Sequence, residues 1–192
     1  GGATPLAVLG TVNAGLELAR QLDALGGPMP EAIVVPFGSG GTAAGLLVGA
    51  WLSGWPGTIC AVRVTDPWFA TRRRILSLAE QTRRLLARCG LPVRAGAARL
   101  LVIDGQLGEG YGHPTGDGAT AAEQLGGEGI RLDSTYSAKA GAALPGLGGS
   151  FRRICFWHTF DQRITAQPVE ADPLLREARA HAESLWPLQK SI

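Results

Sequence analysis

The sequence predicts an α/β fold, a doubly wound and mostly parallel sheet within one domain. Three observations carry that prediction. Short apolar runs recur at 32–35, 58–64, 100–103 and 154–157, each too short to be a stable helix. Stretches with helical spacing of apolar residues lie between them, and strands alternating with helices argue for a parallel sheet covered on both faces. The first run also empties into a glycine-rich turn, the position where open α/β sheets place ligands.

In chain order, Val8, Val12, Leu16, Leu18 and Leu22 recur at helical intervals and predict a helix over 7–25, stopped by Gly26-Gly27-Pro28. Ala32-Ile33-Val34-Val35 has the unbroken apolar, β-branched character of a buried parallel strand. A helix over about 42–51 and a strand over 58–64 come next. A long helix then carries Arg72, Arg73, Arg74, Arg83, Arg84 and Arg88. Such a cluster is ordinarily the solvated outer face of a helix, and alternatively a patch for a partner or an anionic ligand. Leu100 to Ile103 supply a third strand, followed by a glycine-rich loop over 105–118 and a helix over 119–125. A short extended piece at 130–132, a helix over 138–144, a last strand over 154–157 and a C-terminal helix over 173–185 complete the reading.

Composition narrows the function classes. With 192 residues, 45% hydrophobic and 18% charged, the chain can bury a sizeable core. A net charge of +2 makes no electrostatic case for nucleic acid. Cys60, Cys89 and Cys155 lack CxxC spacing, so neither a disulfide framework nor a metal site is expected, and buried thiols acting as small hydrophobes are. Glycine, proline or charge interrupts every apolar run before the ~18 residues of a membrane span, and no signal-peptide pattern is read. A cytoplasmic protein without membrane contact is the expectation.

The sharpest chemical signal is the turn Gly38-Ser39-Gly40-Gly41-Thr42. Glycines let several backbone N–H groups converge with no Cβ in the way of an anion, and the helix that follows adds its positive end. Ser39 and Thr42 add hydroxyl donors. The turn is neither a Walker loop nor a dinucleotide fingerprint, and a tight turn holding no ligand stays open at this point.

Further along, the chain reads Gly110-Tyr111-Gly112-His113-Pro114-Thr115, then Asp133-Ser134-Thr135-Tyr136-Ser137-Ala138-Lys139, then His158-Thr159-Phe160. With the glycine turn, and with the opening Gly1-Gly2-Ala3-Thr4-Pro5-Leu6, these segments resemble in order those of the D-cysteine desulfhydrase and ACC deaminase family. Those enzymes depend on pyridoxal phosphate and have the tryptophan-synthase-β fold, fold type II. They carry Gly-Tyr-Gly-x-Pro-Thr, Asp-Pro-Val-Tyr-x-Gly-Lys and His-Thr-Gly segments. The resemblance implies that residues 1–192 are the large, cofactor-binding domain, the C-terminal portion of a longer family architecture.

Carried over residue by residue, the resemblance implies that Ser39, Gly40, Gly41 and Thr42 hold the cofactor phosphate. Thr159 would hydrogen-bond the pyridine nitrogen, leaving the ring a weaker electron sink and favouring β-elimination. Tyr111 and Tyr136 would face a small amino-acid substrate as acid, base or positioning groups. Ser137, a small hydroxyl residue where ACC deaminases carry Glu, would select a desulfhydrase-type reaction. His113 and His158 read as structural.

The reaction implied is release of pyruvate, ammonia and sulfide from D-cysteine by a homodimeric lyase. Alternatives are an ACC deaminase-type ring opening and a non-catalytic remnant that binds phosphate ligands. The family's Schiff-base lysine is expected upstream of Gly1, since Lys139 matches a different motif lysine and Lys190 lies in the tail. Ala7, Thr11, Ser134, Thr135, Ala138 and Phe160 depart from the family pattern.

Overall fold

Thr4 starts the first helix two residues ahead of the expected position, because its hydroxyl accepts from the Ala7 N–H at 3.3 Å and Pro5 suits the first turn. In the computed structural model, residues 3–159 are described, together with positions 173, 176 and 177. Helix α1 (Pro5–Ala24) leads to strand β1 (Ala32–Phe37), helix α2 (Gly41–Ser53) and strand β2 (Thr58–Arg63). Helix α3 (Arg72–Arg88) and strand β3 (Arg99–Ile103) follow, then α4 (Gly116–Gly127), α5 (Ser137–Gly141), α6 (Leu144–Leu147) and β4 (Ile154–Phe156). The helix expected over 138–144 is thus two short pieces, and 130–132 makes no strand pairing. Apart from three helical positions, the segment expected as a C-terminal helix lies outside the described residues.

The four strands lie in the order β3-β2-β1-β4, all parallel. The chain therefore steps outward from β1 to β3 and then returns to β4 on the other side of β1. This reversal is the doubly wound pattern, and its switch point lies between β1 and β4. Alternation along β1 divides the core. Ile33, Val35 and Phe37 pack with α1, α2 and α3 in the larger cluster. Ala32 and Val34 join Cys60, Val62, Ala140, Ala143 and Leu147 in a smaller one beneath α5 and α6. Cys60 belongs to that apolar layer, and burial pushes its thiol up to about 11, so it behaves as a small hydrophobe.

Register explains an opening beside the switch point. Successive strand residues direct their backbone polar groups to alternate neighbours. The Val34 carbonyl accepts from Trp157 N–H on the β4 side, and the Phe37 carbonyl accepts from Val64 N–H on the β2 side. Pro36, two residues after Val34, should give its next N–H toward β4 and has none. Pairing with β4 ends at Val34, whereas pairing with β2 runs on to Phe37. The strands part there, and Pro36 lies on the wall of the resulting crevice.

Helix α3 presents Ile75, Leu78, Ala79, Thr82 and Leu86 to the core and most of its arginines to solvent. Arg63, at the end of β2, donates from Nε to the Ala70 carbonyl at 2.9 Å and pairs with Asp104 after β3. That arginine ties the loops at this end of the sheet together.

Helices α1 and α2 approach closely at Gly45. A Cβ there would stand 2.6 Å from Thr11 Cβ and 3.0 Å from the Val8 carbonyl oxygen. In an exposed helix Gly→Ala gains about 1 kcal/mol, while overpacking costs about 1–3 kcal/mol. Gly45→Ala should therefore lower the denaturation midpoint in urea instead of raising it, with Gly45→Val lower still.

Candidate active site

The Gly38-Ser39-Gly40 turn connects β1 to α2 at the switch point. Gly40 adopts φ +90°, a left-handed conformation, and a Cβ on it would stand 3.0 Å from Ile75 Cγ1 and 3.1 Å from Phe37 Cε2. A side chain is excluded there by conformation and by space together. Thr4, Thr71 and Thr115 cap α1, α3 and α4 with their hydroxyls, but no side chain caps α2. Its first intrahelical bond runs from Ala44 N–H to the Gly40 carbonyl at 2.9 Å. The N–H groups of the preceding turn are left for another acceptor.

They border a cavity of about 470 Å³. The β1–α2 turn forms one wall through Gly38, Ser39, Gly40, Gly41 and Thr42. Thr65 and Phe69, from the segment after β2, form another. Tyr111, Asp133 and Tyr136 stand on a third side, and Thr159 enters from the end of β4. Strand ends on both sides of the switch point therefore contribute to one concave, hydroxyl-rich site beside an uncapped helix end.

The tyrosine wall is held from behind. Tyr111 and Tyr136 hydrogen-bond through their hydroxyls, with rings edge to face at 5.8 Å between centroids. The Tyr136 phenol is pushed up to about 12 by the bond to Tyr111, with burial and the nearby Asp133 charge adding to it. Gly38 leaves room for the Tyr136 ring, whose Cε1 would stand 3.3 Å from a Cβ at that glycine.

Asp133 anchors the turn that carries Tyr136. Its carboxylate accepts from the N–H groups of Thr135 at 3.0 Å, Tyr136 at 2.7 Å and Ser137 at 3.0 Å, and from the Ser137 hydroxyl at 2.5 Å. Burial alone would raise this carboxyl, but those four bonds outweigh it and hold it below the usual range. Ser137 is itself buried and also accepts from the Asp133 N–H at 2.7 Å.

Lys139 performs the corresponding task for Tyr111. It is fully buried, and its Nζ donates to the carbonyls of Leu107 at 2.7 Å and Gly110 at 2.9 Å. Desolvation lowers its pKa. An ammonium held by two backbone carbonyls fixes the loop immediately before Tyr111, and Lys139 does not line the cavity.

Of the residues expected at the site, Ser39, Gly40, Gly41, Thr42, Tyr111, Tyr136 and Thr159 are brought to one cavity. Ser137 is not on its wall; its hydroxyl is turned onto Asp133. His113 is exposed near Glu109, and His158 stacks on Phe156. Thr65, Phe69 and Asp133 were not singled out beforehand. Asp133 stood inside a quoted motif, whereas Thr65 and Phe69 follow β2 with no pattern of their own.

Residues 1–159 match the profile of the family described as pyridoxal-phosphate dependent enzyme. The chain is 34% identical over 165 residues to "Nocardicin C-9' epimerase" of Nocardia uniformis subsp. tsuyamanensis, covering 85% of this chain and 49% of that protein. It is 31% identical over 163 residues to "Putative 1-aminocyclopropane-1-carboxylate deaminase" of Pyrococcus abyssi (strain GE5 / Orsay), covering 83% of this chain and 47% of that protein. Among solved structures, one described as "Crystal Structure Analysis of the ACC deaminase homologue" superposes with a TM-score of 0.68 at 30% identity, over 82% of this chain and 46% of that one. The chain thus spans about half the length of the relatives it matches. The profile takes in every strand of the sheet and every wall of the crevice, and the chain belongs to the family of pyridoxal-phosphate dependent enzymes.

Proposed function

We propose that the protein carrying this chain is a pyridoxal-phosphate-dependent lyase acting on a small sulfur-containing amino acid, with D-cysteine as the preferred substrate. The observation that carries this reading is the uncapped N-terminus of α2 opening into the same cavity as Thr159 and the tyrosine pair. That donor set fits a cofactor with a phosphate at one end and a ring nitrogen at the other. The N–H groups of the first turn of α2 and the hydroxyls of Ser39 and Thr42 would take the phosphate. Thr159 would face the ring nitrogen with a hydroxyl, which leaves that nitrogen largely unprotonated. When bound, pyridoxal phosphate supplies an electron sink for charge developing at the amino-acid α-carbon.

The protein's own share of the chemistry lies in the tyrosine pair. With its pKa raised, Tyr136 carries its proton at neutral pH and serves as a donor from Oη. Tyr111, about half exposed, links that hydroxyl to solvent and can return the proton. Asp133 and Lys139 hold the two phenols in register, so proton delivery needs little reorganisation at the moment of reaction. The chain offers no lysine on the cavity wall among its described residues, and on this reading the covalent attachment comes from outside them.

ACC deaminase-type ring opening is the second reading, favoured by two of the relatives named above. Both reactions need a proton donor beside the substrate, so the wall itself serves either. Position 137 would bear on the choice through Asp133, since its hydroxyl supports the carboxylate that orders the Tyr136 turn.

Three outcomes test these assignments. In the full-length protein loaded with cofactor, D-cysteine should yield pyruvate and sulfide, and Tyr136→Phe should lower kcat by roughly 10²–10⁴-fold. Production of a four-carbon 2-oxo acid from 1-aminocyclopropane-1-carboxylate, with no turnover of D-cysteine, would decide for the second reading. Ser137→Glu would set a second carboxylate against Asp133 and should cut D-cysteine turnover by ~10²-fold through misplacement of Tyr136. Unchanged turnover would remove this position from substrate selection. Phenol titration followed by ultraviolet absorbance should show Tyr136 ionising near 12, and in Tyr111→Phe its midpoint should move down toward about 10. Because the folded-state value is raised, that proton's contribution to stability is complete below about pH 10 and is lost as pH climbs toward 12.

A further inference from the structure

We infer that Arg74 is a positioning residue for the anion cradle, acting through the Ser39–Gly40 peptide; the inference rests on the cofactor reading above. Its guanidinium donates from Nε to the Ser39 carbonyl at 3.1 Å. The same group lies 4.3 Å above the ring of Phe69, a residue of the cavity wall. Contact with that ring at one end and the Nε–H bond at the other restrain a planar guanidinium in a way that a flexible ammonium does not reproduce.

The consequence follows from peptide geometry. In a trans peptide the N–H and the preceding C=O point in opposite directions. With the Ser39 carbonyl drawn toward α3, the Gly40 N–H is turned away from α3, toward the cavity that Ser39 and Gly40 line. Ile75, the next residue along α3, packs where a Cβ on Gly40 would stand, so the first turn of α3 braces both halves of the peptide unit.

The placement of charge agrees with a role beyond solvation. Arg72, Arg73 and Arg74 occupy the first turn of α3, the positive end of the helix, where cations are disfavoured. Arg72 and Arg73 are exposed and make no hydrogen bond or ion pair among the described residues, whereas Arg74 is committed to the cradle and to Phe69. Arg74 does not itself line the cavity, so it acts through Ser39 and Gly40.

The test is a set of equilibrium titrations with inorganic phosphate and with pyridoxal phosphate, read by phosphorus NMR on the full chain at two salt concentrations. Wild type is compared with Arg74→Met, Arg74→Lys and Arg72→Met. Arg74→Met should raise both dissociation constants about tenfold. Arg74→Lys, which keeps the charge and guards against a folding defect, should raise them nearly as much, and Arg72→Met should stay within about twofold. Equal losses in Arg72→Met and Arg74→Met, or wild-type binding by Arg74→Lys, would reduce the effect to net charge and overturn the inference. Unchanged binding by Arg74→Met would overturn it as well. Failure of the wild type to bind either ligand would instead overturn the cofactor reading, and the inference with it.

Discussion

The end of pairing between β1 and β4 is the constraint on which the candidate site depends. A parallel sheet continues as long as each strand offers N–H and C=O groups to its neighbour, and Pro36 withdraws a donor on the side facing β4. On the other side β1 stays paired through Phe37. The sheet is thus rigid against β2 and open against β4 at the same level, just where the chain reverses its direction of winding. The glycine turn that follows Phe37 and the Thr159 that follows β4 enter the space so created. Glycine at position 40 then lets the chain reverse into α2 with its first N–H groups facing that space.

Around this opening, buried polar groups replace the apolar packing that orders the rest of the molecule. Lys139 sits behind the loop that carries Tyr111, a cation between carbonyls, and half-buried Asp133 stands beside Tyr136, an anion ringed by N–H groups and a hydroxyl. Neither faces an opposite charge among the bonds described. Ionic groups taken from water are costly unless hydrogen-bonded, and here backbone carbonyls take two of the Lys139 donors while N–H groups and the Ser137 hydroxyl meet Asp133. Such an arrangement adds less to stability than a hydrocarbon of equal size, but it dictates direction. The loop before Tyr111 and the turn carrying Tyr136 lack regular secondary structure, and these two residues determine where their phenols meet.

The same logic applies to the turn between β1 and α2. An uncapped helix end is a poor structure on its own, and α1, α3 and α4 avoid it with threonine. The α2 end is held from outside, by the first turn of α3 through Arg74 and Ile75. Work on the inner side of the turn is left to an incoming acceptor. The tyrosine wall and the turn before α2 are therefore supported by separate parts of the chain, α5 with its preceding loop for one and α3 for the other.

The amino-acid sequence by itself determined the sheet and part of the crevice wall, the glycine turn, the two tyrosines and Thr159. The apolar runs at 32–35, 58–64 and 100–103 became β1, β2 and β3, because short β-branched segments between helical periods have few other ways to bury themselves. Glycines at 38, 40 and 41 with hydroxyls at 39 and 42 marked the turn between β1 and α2, since glycine admits a positive φ and a close backbone approach there. Tertiary structure alone decided what stands behind those residues. Ser137 was read as substrate-selecting, and the structure turns its hydroxyl onto Asp133. Arg74 belonged to a cluster whose ordinary reading was solvation, yet it reaches back 35 positions to the Ser39 carbonyl. Thr65 and Phe69 join the wall only because β2 ends beside β1. Local pattern reports the periodicity and chemistry of neighbours in the chain, while these four assignments depend on which strand lies beside which, and on the direction in which each side chain finds its partner.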